Sequence, residues 1–332
     1  MDQNKIPWNM ACPFGIFMKH FLKASTFFLL PCVIVAAVLV GGAFSVENGL
    51  YLKKIRLPPA VRFVAIGDSQ SGCGIDPEVW PEAANHCATG LSLDQYLYKV
   101  RDVVQVNSGT GFTLLIDVNP RRLATQLDPL STGDYESKYA VLNYRHVSRS
   151  RRRIGEPVKL FRDRLLKSAF HHSTGRKFKK KKNRENLDAD KPWGGFARRN
   201  EARYVTDPAD AKKDTEEYLS IVVDICSGED PFSRNLGLLD EIVDVARSSG
   251  HDIVLVTTPW HKSLLEQFPP ELAEQFVKTV GTFALERNVR WVNAWNWTDG
   301  DAGFLNQNHL NATGAAAFTA YLRELLSQEG AR

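Results

Sequence analysis

The sequence predicts an α/β fold, a three-layer α/β/α sandwich with about five parallel strands. Short apolar runs alternate with longer segments in which apolar residues recur at helical spacing, and this alternation is typical of a parallel sheet covered by helices on both faces. Several of the predicted strands end beside Gly, Asn or Pro, which favour turns. The 332 residues, 43% apolar and 24% charged, suit one large globular domain or two small ones.

The N-terminal region predicts a membrane anchor. Residues 24–46 carry no charge and are long enough to cross a bilayer core of about 30 Å. We expect residues 1–23 to form a cytoplasmic leader, 24–46 a single membrane-spanning signal anchor and 47–60 a linker, with the main domain extracytoplasmic. A cleaved signal peptide is the alternative, since Gly41, Gly42 and Ala43 are the small residues that a cleavage site needs.

The first predicted strand, Phe63–Ile66, leads into the turn that carries the main candidate for chemistry. Gly67 permits a sharp turn, and a serine that follows it, Ser69, would lie in the crevice where open α/β sheets bind ligands. An ordinary surface turn is the alternative interpretation. Beyond the turn we expect a short helix at Pro77–Ala84 and a short second strand at His86–Ala88.

The remaining pattern predicts three further strands and four helices. The strands are Thr113–Val118, Ile253–Thr257 and Val289–Asn293. The helices are Leu91–Gln105, Leu236–Ser249, Glu271–Arg287 and one that follows a loop at Asn306–Asn311.

A basic insertion at about 122–235 interrupts this alternation. Between Arg145 and Arg184 there are sixteen Lys and Arg residues, opposed only by Glu156 and Asp163. Such a block is either a solvated flexible segment or a contact to anionic lipid or an anionic polymer. The net charge of the whole chain is only +4 and the domain is expected to be exported, so we predict no nucleic-acid partner.

A serine nucleophile needs a histidine base nearby. Of the eight histidines, His309 lies after the last predicted strand and directly before the last helix, which places it at the same sheet edge as Ser69. The pair therefore predicts nucleophilic catalysis, although a lone histidine is often structural.

These segments resemble the SGNH, or GDSL-type, hydrolase superfamily, especially its membrane-anchored members that handle acyl groups on envelope polysaccharides. The matching blocks read GDSQSGCGIDP, CATGLSLDQYL, LLIDVNPRRL and FLNQNHLNATGA, in the family's order across residues 61–328. The resemblance implies a flavodoxin-like sandwich, Ser69 as nucleophile, His309 as base, and the amides of Ser69, Gly90 and Asn119 as the oxyanion hole. It implies no cofactor and no metal.

One departure from the family bears on activity. The family has aspartate three residues before the histidine, where this chain has Asn306. A backbone carbonyl, a nearby carboxylate such as Asp299 or Asp301, or a slower dyad could compensate. The resemblance therefore implies an ester hydrolase or O-acyltransferase acting on an acylated cell-envelope polysaccharide, or else a non-catalytic binding or assembly component of such a system.

Three further residues are candidates for substrate binding at this edge. Arg121 and Arg122 follow the Asn119 block and would reach an anionic substrate, unless they form salt bridges within their loop. His261 follows the strand Ile253–Thr257.

The five cysteines include no C-x-x-C pair, so we expect no zinc site. Cys73 follows the first predicted strand and Cys87 ends the second. We therefore predict a disulfide between them, with two buried free thiols as the alternative.

Overall fold

The computed structural model of the protein describes residues 48–125, 193–200 and 208–328, together with scattered residues between 29 and 46. Most of the predicted anchor at 24–46 and the whole of the basic block at 145–184 lie outside these residues. Among the helices of the described part, none is both long and apolar enough to span a bilayer.

Five parallel strands form one sheet in the order β2-β1-β3-β4-β5. This confirms the predicted α/β class and strand number. The strands are β1 (Phe63–Ile66), β2 (Ala83–Asn85), β3 (Thr113–Asp117), β4 (Asp252–Thr257) and β5 (Arg290–Asn293). A separate antiparallel pair follows, β6 (Phe304–Asn306) and β7 (His309–Leu310).

Within the described residues, eight α-helices and one 3-10 helix, Asp301–Gly303, follow β1. The α-helices are α1 (Ser69–Gly74), α2 (Leu93–Val106), α3 (Pro120–Ala124), α4 (Pro208–Ile225), α5 (Leu236–Ser248), α6 (Lys262–Leu265), α7 (Pro270–Glu286) and α8 (Ala312–Ser327). Upstream of the sheet, residues 48–54 are also helical.

The core lies on both faces of the sheet because successive strand residues point in opposite directions. On β3, Leu114 and Ile116 pack with α2, α5 and α7, whereas Leu115 packs with α8 on the other face. The predicted linker contributes to the first of these two layers, since Tyr51 and Ile55 are fully buried there.

Two predicted elements near the nucleophile are wrong. The expected helix at Pro77–Ala84 is a pair of turns, because Asp76 caps the Glu78 amide and the chain turns again at Trp80 before entering β2. The second strand accordingly lies three residues earlier than the predicted His86–Ala88. The helix instead begins at Ser69 itself, and the predicted loop at Asn306–Asn311 contains the last residue of β6 and the whole of β7.

The end of β1 approaches β3 more closely than any side chain would allow. A Cβ built on Gly67 would lie 2.6 Å from the Cβ of Asp117 and 3.0 Å from the Cβ of Ser71. Only glycine fits between these two elements, so Gly67 determines how tightly the Ser69 turn packs on the neighbouring strand.

We predict that Gly67→Ala lowers the free energy of unfolding by about 2 kcal/mol or more, because the added methyl group overpacks a closed site. Gly111→Ala is the matched control, since no atom lies within 4 Å of its built Cβ. Its effect should stay within about 0.5 kcal/mol. Urea unfolding of the two variants tests the comparison, and equal losses would contradict it.

Candidate active site

Ser69 and His309, 240 residues apart in the chain, are in direct contact at the carboxyl edge of the sheet. Ser69 is the first residue of α1, directly after β1, and His309 begins β7, shortly before α8. The Ser69 hydroxyl lies 2.8 Å from Nε2 of His309, the distance of a good hydrogen bond. The structure therefore brings together the two residues expected to act as nucleophile and base.

Asn306 orients the imidazole from its other side. Its Oδ1 lies 2.9 Å from Nδ1 of His309. The backbone amide of Asn308 donates to the same Oδ1 at 3.3 Å, which identifies that atom as an acceptor independently of the histidine. Nδ1 must therefore carry the proton, so Nε2 is free to accept from the Ser69 hydroxyl, which is the tautomer that a general base requires.

His309 lies in an environment that keeps it neutral. Burial lowers its pKa to about 4, Asp68 acts in the opposite direction, and the charges of Arg199 and Arg121 lower the pKa further. At neutral pH the imidazole is therefore unprotonated, with a free lone pair, but it is a weak base. The cost is that the imidazolium formed during a reaction is poorly stabilised, since Asn306 contributes no charge.

A buried ion pair lies directly behind the nucleophile. Asp68 precedes Ser69 and caps α1 by accepting from the Gln70 amide at 2.8 Å. Its other oxygen accepts from Nε of Arg122 at 2.7 Å. Burial alone would raise the pKa of Asp68, but the Arg122 charge and the hydrogen bonds from Gln70 and Arg122 together outweigh it, and the net shift is downward. Arg122 is 8% exposed and held in this ion pair, as in the salt-bridged alternative given above, and it does not reach into the cleft as a substrate ligand.

Asp117 is the last residue of β3 and lies beside this ion pair, but its pKa is shifted in the opposite direction from that of Asp68. Burial, together with the nearby charge of Asp68, raises its pKa to about 8. Its Cβ and the Ser71 hydroxyl both flank Gly67. Hydrogen bonds from Ser71 and Asn119 act to lower the pKa of Asp117, but burial and the Asp68 charge outweigh them.

The other two expected oxyanion donors, Asn119 and Gly90, differ in whether they face the cleft: Asn119 is buried and Gly90 is partly exposed. Asn119 is fully buried, and its amide donates to Asp117 at 2.9 Å and to Asp68 at 3.5 Å. Its amide hydrogens are thus directed at carboxylates. Gly90 is partly exposed with φ of 79°, in a loop that the hydrogen bond from Ala88 N to Gly67 O holds beside the nucleophile turn.

His261 supports the catalytic hairpin rather than facing the cleft. It is 3% exposed; its backbone amide donates to the Gln307 carbonyl, and its ring packs edge-on against Phe304. Its Nε2 lies 3.3 Å from Asp301, and its Nδ1 lies 2.8 Å from the Ser263 hydroxyl. Asp301 is therefore engaged by His261, and in the structure it does not orient His309.

Two described segments of the predicted insertion, residues 193–200 and α4, contact the active-site edge. The Gly195 amide donates to the Cys87 carbonyl, and the Ala197 amide donates to the Gly72 carbonyl within α1. From α4, the Tyr218 hydroxyl accepts from Nε2 of Gln70 at 3.1 Å. Gln70 directly follows the nucleophile, so the segments 193–200 and α4 belong to the wall of the site.

The predicted disulfide between Cys73 and Cys87 is wrong. Both residues are buried free thiols. Cys73 packs against Ala197, whereas Cys87 packs into the core layer shared with α8. No group of His, Cys, Asp or Glu in the part of the chain that the structure describes could hold a metal ion.

Sequence reasoning missed four residues that shape this site: Asp68, Asp117, Arg199 and Tyr218. A charged residue that ends an otherwise apolar strand was a usable signal for Asp117, as was the capping position for Asp68. Arg199 and Tyr218 gave no such signal, because they lie in the region interpreted as an insertion.

Comparisons with known proteins give little beyond general similarity. No protein-family model matches the chain, and the search of curated proteins gives no significant match. An acylhydrolase candidate from Bacteroides fragilis is 9% identical, with a TM-score of 0.38 over 81% of this chain and 87% of its own. An extracellular lipase from Streptomyces rimosus is 13% identical, with a TM-score of 0.33 over 80% of this chain and 99% of its own. Similarity this low carries no information about activity.

We predict that Asp117→Asn makes the free energy of unfolding less dependent on pH. Asp117 binds a proton on folding, because its pKa in the folded state is raised to about 8 from the ordinary aspartate value of 3.8. Its contribution to stability is complete below pH 3.8 and is lost as the pH rises towards 8. Urea unfolding at pH 5, 7 and 9 tests this. Between pH 5 and pH 9 the free energy of unfolding of Asp117→Asn should rise relative to that of the natural chain by at least about 1 kcal/mol.

The exposed Asp252, the first residue of β4, provides the control, since Asp252→Asn should follow the natural chain at all three pH values. Parallel curves for Asp117→Asn and the natural chain would mean that Asp117 is ionised in the folded protein.

Proposed function

We propose that the protein is a serine ester hydrolase or O-acyltransferase that acts on an acylated cell-envelope polysaccharide. The observation that supports the chemistry is the hydrogen-bonded array of Ser69, His309 and Asn306, with contacts of 2.8 and 2.9 Å and the productive tautomer. Nucleophile, base and orienting group in this order are the arrangement of serine and cysteine acyl-transfer enzymes.

The proposed reaction begins when Nε2 of His309 takes the proton of Ser69 and Oγ attacks the ester carbonyl. The backbone amide of Ser69 lies at the N-terminus of α1, where helix amides lack partners within the helix, and it would stabilise the oxyanion together with the Gly90 amide. His309 then protonates the departing sugar hydroxyl, which leaves an acyl group on Ser69. Attack by water makes the protein a hydrolase, and attack by a second sugar hydroxyl makes it a transferase.

Asn306 bears on how fast this reaction can be. In a serine protease the exchange of aspartate for asparagine costs roughly ten-thousandfold, largely because the wrong tautomer forms. Here the Asn308 amide holds Oδ1 of Asn306 towards Nδ1, so the tautomer is preserved and only the negative charge is missing. Asp68 supplies part of that charge from the buried side of the site.

The envelope setting rests on the sequence. The uncharged segment at 24–46 and the basic block at 145–184 fit a protein tethered to a membrane whose extracytoplasmic domain meets anionic envelope material. The resemblance of the four sequence blocks to membrane-anchored SGNH proteins points to acyl groups on polysaccharides.

A second candidate function is a non-catalytic component that binds an acylated polysaccharide and assists its assembly. Asn306, which carries no charge to stabilise an imidazolium, is the observation that favours it. The two functions differ in whether Ser69 is activated.

We predict that an alkyl fluorophosphonate ester labels the full-length chain at Ser69, because His309 activates that hydroxyl. Ser69→Ala and His309→Ala should abolish labelling, as read by intact-protein mass spectrometry. Ser263→Ala is a matched control, since Ser263 also lies 2.8 Å from a histidine nitrogen but should not affect labelling. Absence of labelling, combined with no acetate release from acetylated polysaccharides, would favour the non-catalytic function.

We further predict that Asn306→Asp raises kcat/KM for ester hydrolysis at least about tenfold, a fraction of the effect known for the reverse exchange. The added carboxylate would stabilise the imidazolium and raise the pKa of His309. Asn306→Ala should lower kcat by about tenfold or more, because Nδ1 loses its acceptor. If Asn306→Ala retains full kcat at an unchanged free energy of unfolding, Asn306 does not orient the base.

A further inference from the structure

Two arginines from separate segments lie near His309. Arg121 is in α3, just past the end of β3, and Arg199 is in the segment 193–200. Both are close enough for their charge to act on the imidazole. Cations beside a base that must become an imidazolium oppose the proposed reaction, so their presence calls for a role.

Arg121 is held on a rigid aromatic support. Its guanidinium carbon lies 5.9 Å from the ring centroid of Tyr218, within the range of a cation–π contact. Tyr218 is 8% exposed and is itself tied to Gln70, the residue after the nucleophile. The partly exposed Arg121 guanidinium is thereby fixed near the nucleophile.

Arg199 is fixed through its backbone. Its carbonyl accepts from the amide of Ala312, the first residue of α8, at 2.5 Å. Two residues earlier, Ala197 donates to the carbonyl of Gly72 in α1. The backbone of this segment is thus hydrogen-bonded to α1, which begins at Ser69, and to α8, which follows His309, whereas the side chain of Arg199 is exposed.

Neither guanidinium is neutralised within the described residues. No ion pair there joins Arg121 or Arg199 to a carboxylate, whereas the sequence neighbours of both are paired. Arg122 binds Asp68 at 2.7 Å, and Arg198 binds Glu78 at 2.7 Å and lies 3.6 Å from Asp76. Among these four arginines, Arg121 and Arg199 are thus the two without a carboxylate partner in the described residues.

We propose that Arg121 and Arg199 bind a negatively charged group of the substrate, so that the preferred ester is carried by an anionic sugar such as a uronate. This inference rests on the proposed function and specifies its substrate class. Guanidinium groups suit carboxylate recognition because their planar donors match both carboxylate oxygens. A bound anion would also offset the two cations beside His309, and so provide some of the negative charge that Asn306 lacks.

The test compares two esters that differ only in charge: methyl 2-O-acetyl-glucoside and methyl 2-O-acetyl-glucuronide. With the full-length chain, kcat/KM for acetate release should be about tenfold higher for the glucuronide, the effect of roughly one charge-assisted hydrogen bond. Arg121→Gln and Arg199→Gln should each reduce this preference, mainly through KM, and the double variant should abolish it. Rising salt should reduce the preference of the natural chain.

Arg198→Gln is the matched control, since Arg198 is adjacent to Arg199 but paired with Glu78. It should keep the full preference, and all variants should unfold at the same urea concentration as the natural chain. Equal rates on the two esters in the natural chain, with Ser69 still labelled by the fluorophosphonate, would overturn the anion site while leaving the proposed function intact.

If the protein does not hydrolyse either ester, the anion site can still be tested by measuring binding. Calorimetry of Ser69→Ala with the glucuronide should show binding that Arg121→Gln and Arg199→Gln, added to Ser69→Ala, weaken about tenfold each. Binding with this dependence would support the anion site even in a protein that does not catalyse. No binding, or binding indifferent to both substitutions, would overturn it.

Discussion

The buried ion pair between Asp68 and Arg122 is the interaction on which the rest of the site depends. Burial of either charge alone would be costly, and the pair is tolerated because the two side chains satisfy each other and Asp68 also caps α1. The pair joins the nucleophile turn to α3, and thus the ends of β1 and β3. With Asp68 ionised beside it, Asp117 retains a proton, so a single buried negative charge lies behind Ser69.

The electrostatics of His309 follow from this arrangement. One side of the imidazole meets a neutral amide, Asn306, whose orientation is fixed by the backbone of the hairpin. The buried carboxylate of Asp68 acts on it from behind, already balanced by Arg122, while Arg121 and Arg199 act in the opposite direction. A site that has an ideal tautomer but little negative charge of its own is better suited to a substrate that brings negative charge with it.

Much of the fold could be predicted from the sequence, because buried parallel strands are continuous apolar runs and their partner helices have a clear apolar face. β1 was predicted to the residue, and β3, β4 and β5 to within one residue at each end. β2 was misplaced because it is only three residues long, AAN, and lacks the apolar signal. Ser69 and His309 were identified because strand order determines which loops share an edge. The buried roles of Asn119 and Arg122 could not be foreseen, since they depend on Asp68 and Asp117 lying within hydrogen-bonding distance.

The largest departure concerns the region interpreted as an insertion, and it changes how that region relates to catalysis. The chain leaves the described fold after Thr125, whose carbonyl accepts from Asn235, one turn beyond Arg121. It returns at Trp193, followed by Gly194, whose φ of 70° and close approach to the Cys87 carbonyl exclude any side chain. Both attachment points of the basic block therefore lie at the edge that holds Ser69 and His309. The segment of the sequence that carries the sixteen Lys and Arg residues between Arg145 and Arg184 therefore joins the described fold at this edge on both sides.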